Sequence, residues 1–138
     1  MTGSSPDVPT LEGVLETAAH APSAGNAQPW RWQVGRAGVA LYADWDRQLG
    51  STQADRRDVL LSCGAVLDHC VVALAAKGWR PTVRRLPVVQ DGADLALIEM
   101  VEQPAGPASV ELEAAIGRRR TDRRRYSERA IPAGTLEM

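Results

Sequence analysis

The sequence predicts an α+β fold in which a small sheet packs on one long central helix. Three observations predict it. Val59, Leu60, Cys63, Val66, Leu67, Cys70, Val71 and Leu74 recur at helical spacing and give a broad apolar face to a helix from about Ala54 to Lys77. Arg31 to Val34, Val39 to Tyr42, Thr82 to Leu86 and Leu95 to Val101 read as four short strands in two turn-linked pairs. A Pro/Gly-rich connector, Gln103 to Ala108, then separates this body from one more helix.

Taken in order, Met1 to Pro9 reads as a short disordered lead. Leu11, Val14, Leu15, Ala18 and Ala19 mark an amphipathic helix that Thr10 can cap after Pro9. His20 falls near its end, where a structural imidazole meets the helix dipole favourably. Gly35 to Gly38 turns the first strand pair, and Trp30, Trp32 and Val34 share one side of the leading strand. Asp44 and Asp46 read as solvated or Arg-paired carboxylates, with Arg47, Arg56 and Arg57 able to supply the pairing. Gly78 is placed to end the long helix. Gly64 lies inside that helix at a cost of about 1 kcal/mol relative to Ala, which suggests close approach by another backbone or a ligand. His69 reads as exposed or functional alike. Asp91 to Asp94 forms the turn of the second pair, and Ser109 can cap the last helix, which runs through Leu112, Ala115 and Ile116.

The totals bound the class. A chain of 138 residues suggests one domain that buries roughly two-thirds of its unfolded surface. Its 44% hydrophobic and 24% charged residues are an ordinary globular balance, and with no Phe the core must be built from Leu, Val, Ala and Trp. No unbroken apolar run reaches the ~18 residues of a membrane span, and no signal peptide is evident. Cys63 and Cys70 would share a helix face ~10 Å apart, too far for a disulfide. Two buried thiols suit a cytoplasmic protein, and no zinc-type spacing accompanies them, so no metal is expected. Residues 1–117 hold nine Lys and Arg against fourteen acids, whereas residues 118–138 hold seven Arg against three acids. Positive charge is therefore concentrated at the end.

Two stretches carry the functional signal. Ala21 to Trp30 (APSAGNAQPW) is framed by Pro22 and Pro29, with Gly25 between them. It makes a fixed irregular loop presenting Ser23, Asn26 and Gln28, side chains that either cap backbone groups or bind a ligand. Arg118 to Tyr126 (RRRTDRRRY) admits three readings: a solvated tail, a nucleic-acid contact, or a site for one phosphate monoester. Arg supplies bidentate charge-assisted bonds to phosphate, and a Thr hydroxyl can add another.

The loop resembles the Ala-Pro-Ser-x-x-Asn-x-Gln-Pro-Trp signature of the nitroreductase superfamily, whose members bind FMN. Arg119 to Arg123 resembles that superfamily's Arg-x-Ser/Thr-x-Arg motif for the FMN phosphate and ribityl chain. With the Gly64-containing helix between them, the two motifs match the Acg-type branch, in which two half-repeats lie in one chain. The resemblance implies an N-terminal half-repeat over residues 10–107, the start of a second over 108–138, and truncation there. It implies a nitroreductase-like half-domain whose long helix forms a dimer-like interface. Pro22, Ser23, Asn26 and Gln28 would meet the flavin from an opposing subunit or half-repeat. Arg119, Thr121 and Arg123, with Arg120 next in line, would hold the phosphate and ribityl chain. The implied activity is an FMN-dependent oxidoreductase that takes hydride from NAD(P)H and reduces a nitro- or quinone-like acceptor, with no protein nucleophile or metal. A flavin-sequestering protein without turnover and an inactive truncated fragment are the alternatives. The implied partners are a second copy or a separately encoded second half, with neither nucleic acid nor membrane.

Overall fold

The computed structural model describes residues 4–85 and 92–136. Helix α1 spans Val8–Ala18, strands β1 and β2 span Trp30–Gly35 and Gly38–Ala43, and the long helix α2 spans Gln53–Ala76. Strands β3 (Trp79–Arg85) and β4 (Ala96–Glu102) follow, and α3 spans Pro107–Arg118. Leu86 and Asp91, the ends of the expected third strand and second turn, lie outside the described residues.

The four strands form one antiparallel sheet in the order β1-β2-β4-β3. Trp30 faces Ala43 across the first hairpin, Leu41 pairs with Ala96, and Val83 pairs with Ile98. Along β2 burial alternates, with Val39, Leu41 and Ala43 inward, as a sheet covered on one face requires. Helix α2 packs against β1, β2 and β3, and α1 and α3 pack against α2. Val14 and Ala18 of α1, Leu41 of β2, Ile98 of β4, and Val66, Cys70 and Leu74 of α2 meet in one core.

The expected α+β arrangement is present, and three local details differ. The N-cap of α1 is Asp7, whose carboxylate accepts the Thr10 N–H at 2.8 Å, so helix begins at Val8 inside the expected lead. Pro9 did not delay the start because an early helical position needs no N–H partner there. Thr10 thus donates to a cap rather than acting as one, and hydrogen bonding from its hydroxyl, then from its N–H, holds the Asp7 carboxyl below its usual range. In α3 the cap is Gly106, with Pro107 opening the helix and Ser109 inside it. Gly64 has nothing within 4 Å of where a Cβ would stand, so no close approach within the described residues explains it.

Helix α2 is fixed at both ends. Thr52 and Asp55 form a capping box: the Asp55 N–H donates to Thr52 Oγ1 at 3.1 Å, and the Thr52 N–H donates to Asp55 Oδ2 at 2.8 Å. Gly78 follows the other end at φ +88°, as its position predicts. By length and composition α2 is apolar enough to cross a membrane, with a mean hydropathy of 2.0 over 18 residues. An averaged window passes Asp68 where an unbroken run does not. Here 44% of that window is buried in the protein, and its inward residues Val66, Cys70 and Leu74 belong to the core. Cys63 and Cys70 are buried free thiols, and burial pushes both up to about 12, which leaves neither as a nucleophile near neutral pH.

Replacing Gly64 by Ala tests its role in this chain. With open space at the Cβ position, Gly64→Ala should raise stability by up to about 1 kcal/mol in urea denaturation. A loss of stability would mean that something packs closely there.

Candidate functional site

The loop after α1 is built from its backbone outward. Ser23 is extended, at φ −143° and ψ 151°. A short 3-10 turn, Ala24–Asn26, follows. Gly25, Asn26 and Gln28 take φ of +58°, +55° and +50°. A Cβ on Gly25 would press on the end of the exposed Leu49 side chain, which would have to shift, and the left-handed φ itself favours glycine there. Asn26 and Gln28 carry side chains in the left-handed region, a conformation costing about 1–2 kcal/mol that surrounding contacts must hold.

Those contacts come from within the loop and from α2. The Asn26 N–H donates to Ser23 O at 3.0 Å and the Ala27 N–H to Ala24 O at 3.2 Å. The Gln28 N–H donates to Ser23 Oγ at 3.0 Å. From below, Ser62 Oγ accepts the Ala24 N–H at 3.1 Å while donating to Asp58 O at 2.7 Å. The Cys63 thiol donates to Pro29 O at 3.2 Å. The loop's backbone is thus held partly by itself and partly by α2, and the side chains of Asn26 and Gln28 make no hydrogen bond among the described residues.

The arginine segment leaves α3 in extended conformation at Arg119, φ −60° and ψ 137°. Arg119 Nη2 donates to His20 O at 3.0 Å, and Nη1 donates to Thr121 Oγ1 at 2.9 Å. Arg120 turns back on its own chain, its Nη1 donating to Gly117 O at 2.9 Å and Arg119 O at 2.8 Å. Asp122 is paired with Arg124 at 2.6 Å, and that bond holds its carboxyl below the usual range.

Loop and segment meet over α2. A shallow cavity of about 270 Å³ is lined by Pro22, Ser23 and Ala24 of the loop, Asp58, Leu61, Ser62 and Ala65 of α2, and Thr121 and Arg123 of the segment. Of the residues predicted from sequence, the structure therefore brings together Pro22, Ser23, Thr121 and Arg123. Asn26, Gln28, Arg119 and Arg120 are not on this lining. Arg119 stands beside it and Arg120 is folded onto the end of α3. Ser62 was missed, although a polar residue between Val59 and Val66 on the buried stripe of a core helix is a readable signal.

His20 and His69 each place Nδ1 against a carbonyl one turn back along the chain. The Nδ1 of His20 lies 3.1 Å from Glu16 O, and that of His69 lies 3.0 Å from Ala65 O. Asp44 pairs with Arg47 at 3.3 Å, as expected, and Arg56 stacks over Trp45 at 4.0 Å. Among the described residues no three His, Cys, Asp or Glu side chains gather as a metal site.

The profile described as "Nitroreductase family" matches residues 2–89. This chain belongs to the nitroreductase family. A Mycobacterium tuberculosis H37Rv protein assigned as an NAD(P)H nitroreductase is 47% identical over 133 residues, covering 96% of this chain and 39% of its own. A second protein so assigned from that strain, named acg, is 42% identical over 119 residues, covering 86% of this chain and 36% of its own. The chain thus spans about two-fifths of the length of these curated nitroreductase relatives. The crystal structure of a nitroreductase family protein from Streptococcus pneumoniae TIGR4 superposes with a TM-score of 0.60 at 16% identity, over 75% of this chain and 84% of that one. One from Clostridium acetobutylicum, assigned as an NADH oxidase, gives 0.59 at 15% identity, over 75% and 81%. These two likenesses establish the nitroreductase fold.

Ser62 offers the direct test of how this loop is held. Ser62→Ala leaves the Ala24 N–H without its acceptor and should cost about 1–3 kcal/mol. Faster amide exchange at Ala24 and Gln28, with the sheet unchanged, is the expected result. Unaltered exchange at Ala24 would show that the hydroxyl does not hold the loop.

Proposed function

We propose that the cavity receives the phosphate and ribityl end of FMN, and that this chain supplies one half of an NAD(P)H-dependent flavin oxidoreductase. The observation that supports this reading is the meeting of Pro22 and Ser23 with Thr121 and Arg123 on one cavity of one chain. The donor set suits a phosphate monoester on a polyol: a guanidinium for the anion, hydroxyls of Thr121 and Ser23, and the Asp58 carboxylate as acceptor for chain hydroxyls. The size fits only part of the molecule. At about 270 Å³ the cavity lies below the ~300–1,000 Å³ of complete ligand pockets, so the ring requires walls from elsewhere.

Each residue has a role in this reading. Arg123 neutralises the phosphate, Thr121 donates to one of its oxygens, and Ser23 keeps the loop folded through the Gln28 N–H while its own proton faces outward. Asn26 and Gln28, held in strained backbone with free side chains, address the part of the ligand beyond the cavity. Bound flavin would supply hydride acceptance from NAD(P)H and electron delivery to a nitro- or quinone-like acceptor. The protein's part is to bind and orient.

The missing walls come from a second copy of the chain or from a separately encoded second half. Leu61, 64% exposed, and Gly64 lie on the outward side of α2 beside the cavity and offer that partner an apolar, close-approach surface. A cytoplasmic location suits the two buried thiols.

FMN fluorescence titration tests the assignment. The 138-residue chain should bind FMN weakly and more tightly once a second half is added. Arg123→Ala should weaken binding by about tenfold to a hundredfold, the worth of one charge-assisted bond. FMN binding unchanged by Arg123→Ala would overturn the phosphate assignment. Reduction of the bound flavin by NADH or NADPH separates turnover from storage.

A further inference from the structure

A second cavity, of about 150 Å³, adjoins the first beside the later half of the loop. The two share Ala24, Asp58 and Ser62 on their walls. Leu49 closes the new cavity from outside α2. That side chain is 57% exposed, yet its end occupies the place where a Cβ of Gly25 would stand. The segment that carries it is fixed. Trp45 packs against the core, and Arg56 stacks on its ring. The Gln48 N–H donates to Trp45 O at 3.0 Å, and Gln48 Nε2 donates to Gly50 O at 3.0 Å. Gly50, at φ +93°, lies where a Cβ would meet the Asp55 carboxylate of the α2 capping box. An ordered segment thus holds Leu49 as a wall.

The lining has a definite chemistry. Ala27, Pro29, Leu49 and Val59 give it apolar sides. Arg47, tied to Asp44 at 3.3 Å, adds a guanidinium face of the kind that lies against aromatic rings. The other charges on the lining are the carboxylates of Asp55 and Asp58. Asp55 already accepts twice from Thr52 through Oδ2. The Asp58 carboxylate makes no hydrogen bond or ion pair among the described residues. An ionised carboxylate accepts hydrogen bonds and donates none, so this wall favours a ligand that brings its own donor and disfavours an anion. A protein cavity of ~150 Å³ takes up one benzene-sized ring.

We propose that this cavity is a second small-molecule site, for a single uncharged aromatic ring bearing an N–H or O–H donor. Asp58 accepts from the donor, Leu49 covers the ring and Arg47 lies against it. The same ring bearing only acceptor oxygens is disfavoured. Under the flavin reading above, this preference separates product from substrate. Quinones and nitroarenes carry acceptor oxygens alone. A quinone that takes up two electrons and two protons becomes a hydroquinone with two O–H donors. A nitroarene that takes up four electrons and four protons, and loses one water, becomes an arylhydroxylamine with N–H and O–H donors. The cavity then holds the reduced product beside the flavin cavity, on the wall that the two share. Calling the ring a product rests on the flavin reading; the site itself does not.

The test uses the isotope-labelled 138-residue chain without FMN, titrated with aniline and with nitrobenzene at neutral pH and followed by backbone amide resonances. Aniline should shift Gly25, Ala27 and Leu49 together, with one saturable midpoint, while β3 stays still. Nitrobenzene should bind about tenfold more weakly, the worth of one hydrogen bond to a charged group. Asp58→Asn keeps the shape and adds a donor, so it should weaken aniline, tighten nitrobenzene and bring the two within about threefold of each other. Leu49→Ser should weaken aniline several-fold. Both side chains are exposed, so neither change disturbs the core. Shifts that do not saturate, or that fall in the groove between α2 and α3 instead, overturn the site. Equal affinities for the two probes, or a preference that Asp58→Asn leaves unchanged, overturn recognition by Asp58. A parallel FMN titration keeps the two readings apart. A chain that takes aniline but no FMN, even with a second half added, retains the ring site and loses its assignment to product. A chain that takes FMN but not aniline retains the flavin reading and loses this proposal.

Discussion

A single hydroxyl joins the scaffold to the site. Ser62 sits on the buried face of α2, accepts the Ala24 N–H and donates to Asp58 O. That connection helps to pin a loop that holds left-handed φ at Gly25, Asn26 and Gln28. Strain of that kind persists only where neighbouring structure over-determines it. Here the over-determination has two sources: the Ser23 hydroxyl inside the loop and the Ser62–Cys63 pair beneath it. Helix α2 is both the centre of the core and the floor of the cavity.

The same economy governs the charges. The segment after α3 carries a dense run of arginines, and the structure sorts them by task. Arg120 returns to the end of α3, Arg124 is neutralised by Asp122, and Arg119 is fastened to α1. Arg123 is the cation on the cavity wall. A run that reads in sequence as an undifferentiated basic patch thus holds arginines with different surroundings, of which Arg123 lines the cavity.

How much of this was legible depends on distance along the chain. Helix α2 was readable nearly to the residue because its apolar period persists for many turns, and the first hairpin because glycines flank a two-residue turn. The helix starts were not, because Asp7 and Gly106 compete for the cap with Thr10 and Ser109, and early helical Pro9 and Pro107 tip the outcome outward. Gly64 invited a packing explanation, and nothing among the described residues of this chain approaches it. The meeting of loop and arginine segment, about a hundred positions apart, left no trace in periodicity or composition. It was anticipated through the resemblance of both motifs to the nitroreductase family, and the bond from Arg119 to His20 O was not anticipated at all.

The central claim is that two remote segments address one ligand over the surface of α2. Titrating isotope-labelled chain with FMN and following backbone amide resonances tests it most directly. The account predicts that amides of Ser23 to Gln28 and of Thr121 to Arg123 shift together, with one shared midpoint, while the far strand β3 stays still. Shifts confined to one segment, or two segments moving with different midpoints, would contradict it.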